Sequence, residues 1–268
     1  MFRYFVCVVA AAIAVSGQVL AQTPVATRLA TWEWKVDDAT RKALVHLPAK
    51  PEGAPVVLVW HGHGGRMEYI AAALHVEKLW PEAVVVYPQG LPTTGRVSDP
   101  EGKQAGWQFD LGQYGDRDLK FFDAILATLT TDQHVDAHRI FSAGHSNGAR
   151  FSYLLWALRP EKVAAIAAIG TQPVERFEHL PPKPCLHVAG RNDAVAKFDG
   201  QRAGLDRIRK DNACEAVGRP WSLGGLGVYF PSRANAPLVE YIHKGGHEIP
   251  PKTPEMLVEF FKEVSASR

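Results

Sequence analysis

The sequence predicts an α/β fold, a mostly parallel central sheet with helices on both faces and no large cap domain. Three observations lead there. Short, mostly apolar runs recur without regular polar alternation, as strands buried on both sides do. Segments with helical periodicity separate them, as crossover connections between parallel strands require. One passage, Arg139 to Leu158, reads as strand, sharp turn and helix in direct succession.

The elements follow in order. Two β-segments come first, around Thr31–Val36 and Lys42–Leu47. Apolar runs then fall at Val56–Trp60, Ala83–Tyr87, Ile140–Ala143, Val163–Ile169, Cys185–Ala189 and Leu238–Ile242. Helices are expected near Met67–Leu79, Asp118–Leu129, Gly148–Leu158, Gly204–Ala213 and Pro254–Glu263. The second of these is clearly amphipathic, with Leu119, Phe122, Ile125, Leu126 and Leu129 on one stripe. That stripe is core. Two long stretches interrupt the rhythm. Gly90–Gly115 carries Trp107, Phe109 and Tyr114 and leaves a strand at its C-terminal end, where long loops shape sites. Glu215–Pro237 carries Trp221, Tyr229 and Phe230 and reads as a hairpin covering part of the site.

The 268 residues can bury a substantial core. Residues 1–21 resemble a secretory leader: Arg3, an uncharged apolar run from Phe5 to Val15, and Val19-Leu20-Ala21 before Gln22. The run is short for a membrane span. The expectation is therefore a single domain, 22–268, exported to the periplasm or beyond and not stably bound to membrane. Formal net charge is +2, or +1 without Arg3, with both signs spread along the chain. That offers no electrostatic footprint for nucleic acid. After loss of Cys7, Cys185 and Cys214 could pair in an oxidising compartment, with buried free thiols the equal alternative. A monomer is the default.

The chemistry concentrates at Gly144-His145-Ser146-Asn147-Gly148, a G-x-S-x-G turn between a strand and a helix. Such an elbow holds the serine in a strained conformation at the sheet tip, and only small neighbours fit around it. A serine hydroxyl is a weak nucleophile alone, so a histidine and an orienting carboxylate are required. Both follow in the expected order, each just past a strand: Asp193 after Cys185–Ala189, and His247 after Leu238–Ile242. Asp199 and His243 are the nearest rivals. Gly245-Gly246 favours His247, and His187, inside a strand, reads as a packed core residue. His61-Gly62-His63-Gly64-Gly65 follows the strand Val56–Trp60 and reads as an oxyanion loop. Its donor would be the N–H of His63, or alternatively of Gly64, acting beside the N–H of Asn147. A metal site on His61 and His63 lacks supporting carboxylates or cysteines. A phosphate loop lacks the G-x-G-x-x-G or P-loop pattern. Trp107 and Trp221 are expected to line the substrate cleft, where aromatic faces would suit an aromatic acyl group.

These pieces resemble the secreted α/β-hydrolases of the polyhydroxybutyrate depolymerase and feruloyl esterase group, related to carbohydrate esterases. The likeness runs from roughly Lys42 to the end. It is carried by Val59-Trp60-His61-Gly62-His63-Gly64-Gly65, Val86-Tyr87-Pro88-Gln89-Gly90, Ala105-Gly106-Trp107-Gln108, Asp118, Gly144-His145-Ser146-Asn147-Gly148-Ala149, Asn192-Asp193, Asp211-Asn212-Ala213-Cys214 and Gly245-Gly246-His247. The resemblance implies an α/β-hydrolase fold and an acyl-serine mechanism with no cofactor and no metal, with Ser146 as nucleophile, Asp193 as acid and His247 as base. Expected substrates are feruloyl or acetyl esters of plant polysaccharide, or hydroxyalkanoate oligomers. Trp60 and His63 depart from the group's usual residues and bear on the acyl pocket. The other readings are a serine peptidase of the same fold and a non-catalytic exported binding protein.

Overall fold

A computed structural model describes residues 29–173, 180–222 and 225–267. The expected leader 1–21, with Cys7 and the cleavage point before Gln22, lies outside the described residues.

Six parallel strands form the centre of a ten-stranded sheet. In spatial order they are β4 (Val84–Pro88), β3 (Val56–Trp60), β7 (Ile140–His145), β8 (Ala165–Ile169), β9 (Cys185–Gly190) and β12 (Leu238–His243). These are the six apolar runs of the sequence. Each carries side chains that must be buried on both faces, which only helices on both sides can provide. Period-two alternation sorts them. Val56, Leu58, Val84, Val86, Ile140 and Ile166 join a core layer beneath α3 (Arg117–Asp132), α4 (Asn147–Leu158) and α5 (Phe198–Asp211). Val57, Val59, Val85, Phe141, Ala165, Leu186 and Val188 join the other, beneath α1 (Met67–Leu74), α2 (Val76–Leu79) and α6 (Thr253–Ala266).

Antiparallel strands close both flanks. The hairpin β1 (Ala30–Val36) and β2 (Ala39–His46) pairs onto β4. On the far side β11 (Gly227–Phe230) and β10 (Arg219–Trp221) extend the sheet beyond β12. The hairpin expected over the site within Glu215–Pro237 therefore lies at the sheet's edge instead. Backbone N–H and C=O groups of β12 were open there, and pairing them satisfies more polar atoms than covering a cleft would.

The helix read as Met67–Leu79 breaks at His75, which has φ 31°. Helix α5 begins six residues earlier than the expected Gly204, because Gln201, Leu205 and Ile208 are buried against the sheet and packing outweighs the low propensity of Gly200. Cys185 and Cys214 are both free thiols; Cys185 is fully buried.

The long connection after β4 includes a small hairpin, β5 (Leu91–Pro92) with β6 (Ala105–Gly106). Its root is a buried ion pair. Arg41, 1 % exposed, meets Asp118 at 2.8 Å, and Asp118 also accepts the N–H of Gln108 at 2.8 Å. The loop is thus pinned over the C-terminal edge of the sheet.

Candidate active site

Strand β7 ends at His145, helix α4 begins at Asn147, and Ser146 between them has φ 54° and ψ −119°. A non-glycine residue held there stores on the order of 1–3 kcal/mol of strain. The neighbours allow it because they are glycines. A Cβ on Gly148 would lie 2.3 Å from the carbonyl oxygen of Trp60 and 2.5 Å from that of His61. The helix after the serine therefore approaches the oxyanion loop more closely than any side chain would permit.

The acid and histidine loops are stitched together. Arg191 N donates to His243 O at 2.9 Å, Asn192 N to Gly245 O at 3.0 Å and Asn192 Nδ2 to Lys244 O at 2.7 Å. A Cβ on Gly190 would sit 2.2 Å from Gly246 O, so glycine is required at this crossing too. This brings His247 Nδ1 to 2.8 Å from Asp193 Oδ2, and His247 Nε2 to 2.8 Å from Ser146 Oγ. A carboxylate only accepts, so Nδ1 carries the hydrogen and Nε2 faces the serine hydroxyl with its lone pair. Asp193, 5 % exposed, has its other oxygen occupied by the N–H groups of Val195 and Ala196, both at 2.8 Å. The structure thus joins Ser146, Asp193 and His247. The rival Asp199 is exposed on α5, and the rival His243 accepts the N–H of Gly245 at 3.1 Å.

The oxyanion loop is set by His61. Its Nδ1 donates to Gly62 O at 2.7 Å and its Nε2 accepts the N–H of Gly90 at 2.9 Å. Burial lowers its pKa to about 4, so the ring stays neutral in this role. Of the two candidate donors, Gly64 is engaged: its N–H bonds Ala105 O at 2.7 Å. His63 lines the cavity beside Ser146 and Asn147. Its ring is held by Asp99 Oδ2 at 3.2 Å. The alternative placed on Gly64 is therefore corrected, because the β5–β6 hairpin consumes that donor.

Trp107 does not line the cleft. It is fully buried, 4.9 Å from the Trp60 ring centroid and stacked 5.7 Å from Phe151. Its indole N–H donates to His61 O at 2.8 Å. Its backbone N–H donates to Asn147 Oδ1 at 2.7 Å, and its carbonyl accepts Asn147 Nδ2 at 3.0 Å. One residue therefore pins the oxyanion loop and the elbow helix together. Trp221 is not at the cleft either. It sits on edge strand β10, 9 % exposed, packed edge-on to Phe260, with its N–H on the Glu263 carboxylate at 3.0 Å. Edge pairing carried its strand away from the site.

The cavity over Ser146 holds about 370 Å³. Apart from His63, Ser146, Asn147 and His247, its walls include Phe109, Arg96 and Val97 from the long loop, Arg150 from α4, and Thr171, Gln172, Val195 and Ala196. Arg96 and Arg150 each place a guanidinium 5.8 Å from the Phe109 ring centroid. Sequence reading singled out the long loop and Phe109 within it, but not Arg96 or Val97. Arg150 was open to inference, being one helical turn beyond Ser146, whereas Gln172 and Val195 lie in loops without a motif. His145 packs 4.9 Å from the His247 ring, and burial, reinforced by that neighbour, lowers its pKa to about 4.

No protein-family model matches the chain. Over 158 residues it is 30 % identical to the putative esterase NocK of Nocardia uniformis, a match covering 57 % of this chain and 44 % of that protein. Over 199 residues it is 27 % identical to a probable feruloyl esterase C of Aspergillus clavatus, covering 71 % and 68 %. The chain thus spans less than half the length of the first relative and about two thirds of the second. Among solved structures, the acetyl xylan esterase of Aspergillus awamori superposes with a TM-score of 0.66 at 11 % identity, over 87 % of this chain and 99 % of that one. The chain has the α/β-hydrolase fold, and the proteins it is related to in sequence are esterases.

Proposed function

We propose that the chain is a serine carboxylic-ester hydrolase working through an acyl-serine intermediate. The observation that carries the reading is the continuous relay from Asp193 through His247 to Ser146, both links at 2.8 Å, opening into a cavity. Ser146 attacks the ester carbonyl as His247 Nε2 takes its proton. Asp193 holds the imidazole in the Nδ1–H form and stabilises the imidazolium. The N–H groups of Asn147, at the first turn of α4, and His63 bind the oxyanion. The imidazolium protonates the leaving alcohol, and water repeats the cycle to release the acid.

The relatives support an ester rather than an amide substrate, so the peptidase reading is not favoured. A feruloyl esterase and an acetylxylan esterase among the relatives support feruloyl and acetyl esters, and the motif resemblance adds plant polysaccharide as their carrier. Hydroxyalkanoate oligomers rest on the motif resemblance alone. A cavity of about 370 Å³ has room for an aromatic acyl group, with Phe109 as its ring-bearing wall. The catalytic unit would be the single domain 22–268, exported after removal of 1–21. Among the described residues no helix is long and apolar enough to cross a membrane.

The test is a hydrolysis panel of methyl ferulate, acetylated xylan, a hydroxybutyrate oligomer and nitrophenyl acetate, with Ser146→Ala beside it. Turnover should fall by about 10⁶-fold in the variant, as in other serine hydrolases. A serine-reactive phosphonate should label Ser146. Absence of labelling in folded protein would sink the reading and favour a non-catalytic binding role.

A further inference from the structure

His187 lies inside β9, fully buried, and takes no part in the mechanism above. Its partners form a chain. His187 Nδ1 is 2.8 Å from the hydroxyl of Tyr153, and its Nε2 is 3.0 Å from Gln201 Oε1. Gln201 Nε2 faces two acceptors, Ala196 O and, at 3.4 Å, Asp193 Oδ2. Those acceptors fix which end of the Gln201 amide is which. Its oxygen then points at His187, so His187 carries its hydrogen on Nε2 and accepts the Tyr153 hydroxyl proton on Nδ1. The two hydrogens of Gln201 Nε2 serve its two acceptors, the Tyr153 hydroxyl also lies 3.7 Å from Cys185 Sγ, and the direction along the chain runs from Tyr153 to Asp193. Burial lowers the His187 pKa to about 4, keeping the ring neutral as this polarity requires. Tyr153, His187 and Gln201 are all 0 % exposed, so no water can substitute for a lost link.

The chain also closes a circuit. Tyr153 stands on α4, the helix that starts immediately after Ser146. From Ser146 the path runs through His247, Asp193, Gln201, His187 and Tyr153 and returns along α4. We propose that Gln201, itself oriented by His187 and Tyr153, is a positioning residue that holds the carboxylate of Asp193 in register with the helix bearing the nucleophile. It acts on the reaction only through Asp193. The inference rests on the reading of Asp193 as the triad acid.

The experiment measures kcat and KM on nitrophenyl acetate for Gln201→Leu and Tyr153→Phe, each in the wild-type and in the Asp193→Ala background. Gln201→Leu should lower kcat by about 10- to 100-fold with KM within about two-fold, as expected when a reacting group is displaced by a fraction of an ångström. Tyr153→Phe, which removes one hydroxyl and keeps the ring, should lower kcat by about two- to five-fold. In the Asp193→Ala background both losses should vanish, because nothing remains to be positioned. Equal losses in both backgrounds, or losses read in KM, would overturn the proposal and reduce the chain to a packing element. If Gln201→Leu does not fold, Tyr153→Phe decides by the same comparison. If Asp193→Ala alone leaves kcat intact, the triad reading fails and takes this proposal with it. A damaged Asp193→Ala beside an unimpaired Gln201→Leu refutes the proposal alone.

Discussion

Replacing Trp107 by Phe separates a pinning role from a substrate-lining one. The change keeps an aromatic ring between Trp60 and Phe151 but removes the indole N–H that His61 O accepts at 2.8 Å. A buried carbonyl left without its donor costs about 1–3 kcal/mol. The missing second ring leaves a small void in a site with no exposure, adding roughly 1 kcal/mol. A total of about 2–4 kcal/mol corresponds to a Tm lower by roughly 5–15 °C for a domain of this size. The freed His61 carbonyl lies at the start of the loop bearing His63, so the oxyanion donors should lose alignment. Complete loss of one donor costs about 10²–10³ in kcat; partial misalignment should cost about 10- to 100-fold. KM should change little, because Trp107 is sealed from the cavity. Thermal melting and steady-state kinetics on nitrophenyl acetate and methyl ferulate read both quantities. An unchanged Tm with a raised KM confined to the aromatic ester would refute the reasoning and restore Trp107 to the substrate.

Other outcomes follow from the same geometry. Gly148→Ala puts a Cβ against two carbonyl oxygens at 2.3 and 2.5 Å, so folded protein, if recovered, should show at least a 100-fold lower kcat by roughly the cost of a displaced oxyanion donor; near-normal turnover would mean the elbow can relax. Asp118→Ala strands the buried Arg41 charge and should destabilise by about 3–5 kcal/mol in urea unfolding, while Asp118→Leu combined with Arg41→Met should recover much of that loss. His61, His145 and His187 have folded pKa values of about 4, below the ordinary imidazole value, so only the unfolded chain gains protons between about pH 6.5 and 4. Stability should therefore fall as pH drops through that window, by up to about 1.4 kcal/mol per pH unit for each ring, and these rings should add no further loss below it. Calorimetry in buffers of different ionisation heat should find about three protons taken up on unfolding near pH 5; no uptake would mean these rings are charged when folded.

Much of the site was legible in the chain because its constraints are local. An elbow needs Gly-x-Ser-x-Gly between strand and helix, since the backbone at Ser146 and the approach at Gly148 admit little else. The six central strands announce themselves because burial on both faces leaves room for only an occasional paired polar residue, such as Ser142, His187 or Glu240. Asp193 and His247 were found because each follows such a strand, and a parallel sheet gathers all those ends on one edge. The free thiols were not legible, since pairing depends on distance rather than on spacing.

What the sequence determined by itself was therefore the order of strands and helices and the residue types at the strand ends, because steric and solvation limits act within a few residues. Tertiary structure alone decided which neighbour each polar atom meets. It gave Gly64's N–H to Ala105, buried Trp107 as a pin between two loops, carried Trp221 to the sheet edge and set Gln201 against Asp193. Those outcomes depend on groups 8 to 46 positions apart competing for the same donors, as with Gln201 and Asp193 or Trp107 and His61. No local pattern encodes that competition; close packing and the demand that buried polar groups be paired resolve it.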